Sequence, residues 1–418
     1  MPRIICIGAA LAASLPSRPM TMTGDQQLLK RINRMALVRC VRSLPAPSRS
    51  ELAAHTGLTK STVGLLAQEL IDEGWLRERE RQRAATGSLG RRPTPLELDD
   101  ERLALIGVEL GVDSLTVATT TLTGRVVHSD SEALPDTTPE AVSRLIVQRM
   151  VAATQQVQGM RRRLLGIGLG VPGAVDEATG VVRVAPNLGW REVPLRQWLA
   201  AGLREAGLGS VALHVQNEAD VAALGEFEFG TAPAPEPLIY LSLGIGVGAG
   251  IVLNDRLFSG AQGMAGEVGH TLLQRDGPPC SCGRRGCAEA FIGLRGIGVQ
   301  ASGSALSVDQ LTHKLAAGEA AAEQAVARAG DYLGVLLQNL WMTFNPARLV
   351  LGGPTCELGE VFLGAAQRSL DRFAIDAGLS APQVQAARYG RDAVAVGAAA
   401  LVLHAAVRPY HQRATLVD

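Results

Sequence analysis

The chain has 418 residues, 47% of them hydrophobic and 19% charged, which is enough apolar material for two or three packed domains and excludes a generally disordered chain. Net charge is zero, but residues 1–100 hold fifteen Lys and Arg against ten Asp and Glu, so a basic head suited to nucleic acid precedes an acidic body. No uninterrupted apolar run reaches the ~18–20 residues that span a bilayer, so no membrane partner is expected.

Residues 1–23 open with an apolar stretch, Ile4 to Ala13, behind the single basic Arg3. The basic flank is weak for a signal peptide. Met20 and Met22 stand just before the first helical pattern, so this segment reads as a disordered tail or as sequence upstream of the true start. A cytoplasmic protein is expected.

Residues 24–100 read as a winged helix-turn-helix DNA-binding domain. From Gln26 to Val41, Leu28, Leu29, Ile32, Met35, Ala36 and Leu37 share one helical face. Ser48 or Ser50 can cap a short second helix, Gly57 permits a tight turn, and Thr59 can cap a third helix from Lys60 to about Asp72. Two short helices about a glycine-containing turn make a helix-turn-helix, whose second helix enters the major groove. The start of that helix offers Thr59, Lys60, Ser61, Thr62 and, further along, Gln68 as DNA contacts. Trp75 and Leu76 begin a strand. The stretch after it carries six arginines by Arg92 and reads as a hairpin wing that lays Arg91 and Arg92 along phosphates or in a minor groove. Residues 94–102 tie this head to the body.

The body reads as α/β in two similar halves, each opening with a hairpin. The first hairpin spans residues 103–123. Leu164–Val171 is a buried strand ending in Pro172-Gly173, and Val211–Val215 is a strand ending at Gln216-Asn217-Glu218. Leu238–Leu253 forms the second hairpin around Gly244, Gly246 and Gly248. Leu349–Leu351 is a strand ending in Gly352-Gly353, and Ala393 to His404 is a helix of small residues. The expected division is 101–220 plus 392–418 for a first lobe and 221–391 for a second.

Three of the six cysteines crowd into CSCGRRGCAE, residues 280–289, a spacing that points to metal rather than to disulfides. This run fits C-x-C-G-x-x-G-C-x-E at every fixed position, and GEVGH at 266–270 accompanies it. The chain resembles the ROK family (repressors, open reading frames and kinases) over roughly residues 25–405, and its head resembles that of the regulator branch. The resemblance implies a two-lobed sugar kinase/actin-like, ribonuclease H-like fold behind the winged helix. His270, Cys280, Cys282 and Cys287 supply one nitrogen and three sulfurs, a closed tetrahedral set for structural zinc. The resemblance places Asn187, Asn217, Glu218, Glu267, His270 and Glu289 around one sugar, with Gly173 allowing close approach of the ligand and the zinc bracing His270 and Glu289.

Kinases of this family carry Asp-x-Gly-Gly-Thr in the first hairpin and Asn-Asp-Ala-Asn at the base. Here the residues are Glu109-Leu110-Gly111-Val112-Asp113 and Asn217-Glu218-Ala219-Asp220. Val112 obstructs the approach of backbone to phosphate, Asp113 repels phosphate, and Glu218 is a methylene longer than the family's base. The expectation is therefore a non-enzymatic, sugar-responsive transcription repressor that binds operator double-stranded DNA as a homodimer or homotetramer. The competing reading is an active ATP-dependent hexose kinase with an accessory DNA-binding head.

Overall fold

The computed structural model describes residues 26–79, 94–230, 236–261 and 263–408. The head consists of α1 (Gln26–Ser43), α2 (Arg49–Thr56), α3 (Lys60–Asp72), β1 (Leu76–Glu78) and β2 (Leu96–Leu98). Ser48, not Ser50, caps α2. Its hydroxyl accepts from the Glu51 N–H at 3.3 Å while its own N–H donates to Glu51 Oε2 at 2.7 Å, a reciprocal capping box. Gly57 ends the helix at φ 70°, and Thr59 caps α3 by accepting from the Thr62 N–H at 3.2 Å. Leu37, Val38, Leu52, Val63, Leu70 and Leu76 are fully buried between the three helices and the small sheet. Residues 94–102, expected to be a plain tie, contain β2, which pairs antiparallel with β1 at Leu76↔Leu98. The expected wing tip, with Arg91 and Arg92, lies outside the described residues.

The first half of the body runs β3 (Leu103–Leu110), β4 (Ser114–Thr120), β5 (Val126–Ala133), α4 (Pro139–Gly159), β6 (Arg163–Val171), β7 (Ala174–Asp176), β8 (Val181–Ala185), β9 (Trp190–Val193), α5 (Leu195–Glu205), β10 (Leu213–Asn217) and α6 (Glu218–Glu228). The second runs β11 (Leu238–Leu243), β12 (Val247–Leu253), β13 (Arg256–Leu257), α7 (Glu289–Ile292), α8 (Leu294–Ser302), α9 (Val308–Ala316), α10 (Ala320–Phe344), β14 (Arg348–Gly352), α11 (Gly359–Ala377), β15 (Gln383–Ala386) and α12 (Ala393–Val407). Each half builds a five-stranded sheet, in the orders β5-β4-β3-β6-β10 and β13-β12-β11-β14-β15. The two orders are equivalent: an opening hairpin, a third antiparallel strand on one side, and two parallel strands on the other. The twofold likeness expected from the hairpins is thus a likeness of whole sheets. The strand expected at 211–215 begins and ends two residues later, because Asn217 closes β10 and caps α6 at once. The small antiparallel sheet β7-β8-β9 had no counterpart in the sequence reading.

Helix α12 lies across β3 and β6 and against α6. The approach is too close for side chains. A Cβ on Gly107 would meet the Ala395 carbonyl oxygen at 1.8 Å, and one on Gly168 the Ala398 oxygen at 1.9 Å. Residues Gly390–Val407 are long and apolar enough to pass for a membrane span, but 67% of that stretch is buried inside the fold, as expected of a core helix.

Candidate functional site

The parallel strands β3, β6 and β10 end on one side, and the β11–β12 turn and the end of β14 meet them there. In open α/β sheets the crevice beyond the carboxyl ends of the strands is where ligands bind. A cavity of about 770 Å³ occupies this place. Gly173, Asn187, Asn217, Glu218, Glu267, His270 and Glu289, scattered over more than a hundred positions of sequence, all line it.

Gly173 lines the cavity at φ 89°. A Cβ there would lie 2.1 Å from the Val184 oxygen, so the β8 backbone by itself already demands the glycine. Asn217 is committed to architecture. Its Oδ1 accepts from the N–H groups of Ala219 (2.8 Å) and Asp220 (3.3 Å), and its Nδ2 donates to the Gly173 oxygen at 2.7 Å. One amide therefore joins the β6 turn to the start of α6 and presents Glu218 to the cavity. Asn187 faces Gly246 across the cleft: a Cβ on Gly246 would lie 4.0 Å from Asn187 Nδ2 and 3.1 Å from Glu289 Oε2.

Carboxylates dominate the lining. Burial, with Glu267 adding to it, pushes Glu218 up to about 7. Burial followed by Glu218 and Asp392 pushes Glu109 up to about 8. Glu267 is raised by burial against the opposing pull of His270. Asp220, which the sequence reading used only as a departure from the kinase motif, also lines the cavity and is 7% exposed. Burial, then Glu177 and Glu267, raise it to about 8. Ser281, the residue between the first two motif cysteines, was missed. It lines the cavity and donates to Glu289 Oε1 at 2.6 Å. Glu289 Oε2 accepts from the Val247 N–H at 3.4 Å, so one side chain braces both the cysteine loop and the β11–β12 hairpin.

Beside the cavity, His270, Cys280, Cys282 and Cys287 bring their ligand atoms within 4.8 Å of one another. Cys280 Sγ is 3.6 Å from His270 Nδ1, and Cys282 Sγ is 3.7 Å from Cys287 Sγ. A tetrahedron with metal–sulfur bonds of about 2.3 Å and a metal–nitrogen bond of about 2.0 Å has edges of about 3.8 Å between sulfurs and about 3.5 Å from sulfur to nitrogen. The four side chains therefore fit a single tetrahedral metal ion. Bridges Leu272↔Cys287 and Pro279↔Arg285 hold the loop that carries them.

On the head, Lys60, Ser61 and Gln68 are exposed along α3. The hydroxyls of Thr59, Ser61 and Thr62 are linked at 2.9 and 2.8 Å as part of the cap, and Gln68 donates to Asp72 at 2.9 Å. Leu65 stands 62% exposed on the same helix, one turn past Ser61, and escaped the sequence reading, which sorted leucines to the core. An apolar side chain there suits contact with a thymine methyl.

Two sets of contacts fasten the head to the body. The carbonyls at the end of α3 accept from body arginines: Ile71 from Arg102 at 2.9 Å, Asp72 from Arg102 at 3.2 Å, and Glu73 from Arg163 at 2.7 Å. Arg102 precedes β3 and Arg163 opens β6. The second set centres on Glu228, the last residue of α6. Its carboxylate meets Arg42 of α1 at 2.5 Å, His404 of α12 at 2.7 Å and Arg408 at 2.5 Å, and its carbonyl accepts from Arg42 as well. Burial would push Glu228 up, but Arg42, His404 and Arg408 together overcome this and hold it far below the usual carboxylate range. Helix α6, 11 residues and about 16 Å long, thus begins at Glu218 in the cavity and ends at the head.

Fold and site define a protein of sugar-kinase-like architecture that carries a helix-turn-helix. The ROK family model matches residues 105–405, and the model of the IclR helix-turn-helix domain matches residues 34–80. The chain belongs to the ROK family. It is 30% identical over 397 residues to a xylose repressor of Caldicellulosiruptor bescii, covering 91% of this chain and 97% of that one. It is also 30% identical over 318 residues to a glucokinase of Halalkalibacterium halodurans, covering 71% of this chain and 94% of the enzyme. A crystal structure of a ROK family transcriptional regulator, a homologue of the Escherichia coli MLC protein, superposes with a TM-score of 0.75 at 22% identity, over 91% of this chain and 97% of that one.

Proposed function

We propose that this chain is a sugar-responsive transcriptional repressor that binds operator DNA through α3 and its wing and a sugar in the cleft between the two sheets. The observation that carries the reading is the joining of the two parts. The ends of β3 and β6 that open into the cleft belong to the strands whose other ends hold α3, and α6 runs from Glu218 to Arg42 of the head. A sugar that favours one arrangement of the two sheets shifts the population of head orientations by its differential affinity. In a homodimer or homotetramer that shift changes the spacing of recognition helices, which operator half-sites require to be fixed. Action on operator DNA implies a cytoplasmic protein. The xylose repressor relative, matched over head and body alike, supports this reading.

His270, Cys280, Cys282 and Cys287 are the residues that would hold a structural zinc. The ion would supply a fixed cross-link, with no open position for a reactant. Ser281 and Glu289 would inherit that rigidity, Ser281 by standing between two ligands and Glu289 through its bond from Ser281.

Kinase activity is the second reading, favoured by the glucokinase relative. Against it, Val112 and Asp113 occupy the first hairpin turn at the cavity, where the family's kinases have Gly and Thr, and Glu218 replaces the aspartate base. Steady ADP formation from ATP, Mg²⁺ and a common hexose would establish the kinase instead. Gel shifts of operator DNA with and without candidate sugars test the repressor; loss of the shift on adding one sugar is the expected result, and indifference to every sugar refutes it.

A further inference from the structure

The charges of the cleft restrict what the effector can be. Glu109, Asp113, Glu218, Asp220, Glu267 and Glu289 all line it. Among the described lining residues the one Lys or Arg is Arg391, and its guanidinium donates to both oxygens of Glu357, at 2.9 and 2.7 Å. His270 turns its Nδ1 toward Cys280. Asp220 makes the requirement specific. It is 7% exposed, and no hydrogen-bond donor or cation among the described residues meets its carboxylate; the charges acting on it are Glu177 and Glu267. A buried carboxyl with no donor among the described residues is left to bond a ligand, as acceptor when ionised and as donor when protonated. A sugar hydroxyl, donor and acceptor at once, suits either state. A phosphate ester carries about −1.5 to −2 charge at pH 7, brings only acceptor oxygens, and would meet no counter-charge here.

We propose that the cleft takes an unphosphorylated sugar and rejects the phosphate ester of the same sugar. The inference rests on the sugar-sensor reading and narrows it. The repressor then answers to sugar that has not yet passed a phosphorylating step, and the phosphotransfer reaction that consumes the free sugar ends the signal.

The test uses the full chain and paired ligands: glucose against glucose 6-phosphate, and N-acetylglucosamine against its 6-phosphate, with xylose as a further free sugar, each with and without Mg²⁺. Thermal shift finds the binders and calorimetry ranks them. The expected result is binding of at least one member of the free-sugar set, with every phosphate ester at least about a hundredfold weaker than its parent sugar or undetectable, because its charge would leave water for acidic surroundings in which the one lining guanidinium is already paired. Glu109→Gln combined with Asp113→Thr, which changes two of the lining carboxyls, narrows the gap between the free sugar and its phosphate by about tenfold, read as the ratio of the two affinities. Asp113→Asn alone, at an exposed position, narrows it in the same direction should the double variant not fold. A phosphate ester that binds as tightly as its sugar, whether or not Mg²⁺ is needed, overturns the inference while leaving the sensor intact. Rejection undiminished in the charge-reduced variants overturns the electrostatic cause. No binding by any compound overturns the sensor reading, and the inference falls with it.

Discussion

Replacing Glu228 by Gln isolates the contact through which head and body are joined. The Glu228 side chain is 1% exposed, Arg408 is 3% exposed and Arg42 13%. Gln keeps the shape but removes the charge, leaving Arg42 buried without its counter-ion and taking from Arg408 one of its two carboxylates, the other being Asp255. Breaking a buried pair from one side costs about 3–5 kcal/mol. Because Gln can still accept a hydrogen bond, the lower end applies, about 3 kcal/mol, or a fall in Tm of about 3–4 °C if the chain melts as one unit. The sign with pH follows from the lowered native value. The carboxylate contributes its full stability above the unfolded value near ~4.3, and that contribution is lost as pH falls below it. Thermal melts of parent and variant at pH 7 should therefore lie apart and converge as the pH falls through about 4 and below. The same variant should keep the sugar-induced thermal shift and lose most of the sugar's effect on operator binding, since the cavity end of α6 is untouched. Equal melting at pH 7, or a sugar effect on DNA as large as in the parent, refutes the role given to this cluster.

Three further outcomes are expected. Metal analysis of the purified chain should find one zinc per chain, and a strong chelator or Cys282→Ser should lower Tm; absence of zinc together with an unchanged melt in the variant refutes the site. Asp220→Asn should stabilise the apo protein most at pH 8, because a native value raised to about 8 by burial, Glu177 and Glu267 costs stability progressively as pH climbs from the unfolded value near ~3.9, by at most about 1.4 kcal/mol per pH unit. A stability difference that does not change between pH 5 and 8 refutes that assignment. Lys60→Ala should weaken operator binding and lower the slope of log K against log salt by about one, measured by fluorescence anisotropy, and an unchanged slope argues against a phosphate contact there.

What the sequence made legible was whatever is written locally. Ser48 and Thr59 announce helix starts, the paired hairpins announce the two halves, and the cysteine spacing marks a cluster that the fold gathers, with His270, within 4.8 Å. The cap and cysteine signals lie within about ten residues of their partners, His270 included, although the family pattern was needed to single it out. The Glu228 cluster could not be read this way, because Arg42 is 186 positions away and His404 is 176. In sequence, Glu226 and Glu228 merely alternate with Phe227 and Phe229 in the run GEFEF, and nothing local marks either as the partner of a distant arginine. Strand β2 was hidden for a similar reason: Leu96-Glu97-Leu98 is too short to declare itself, and only pairing with Leu76 makes it a strand. At Gly173 the backbone of β8 adds a constraint that sequence could not show, since sequence does not reveal which neighbour approaches a glycine.

The position of α12 also bears on how the molecule is made. The helix covers β3 and β6 with bare backbone contacts at Gly107 and Gly168, yet it is translated after every other described element. Chains fold from the N-terminus as they emerge. The three helices of the head can pack on one another early, although their apolar cluster runs on into β3, α6 and α12, while the sheet beside them stays uncovered until α12 has left the ribosome. A nascent chain would therefore own a DNA-reading surface before it owns a sensor, and Arg42 would have no Arg408 or His404 beside Glu228 to dock against. Emergence of α12, rather than synthesis of the head, is the moment at which sugar can first govern DNA binding.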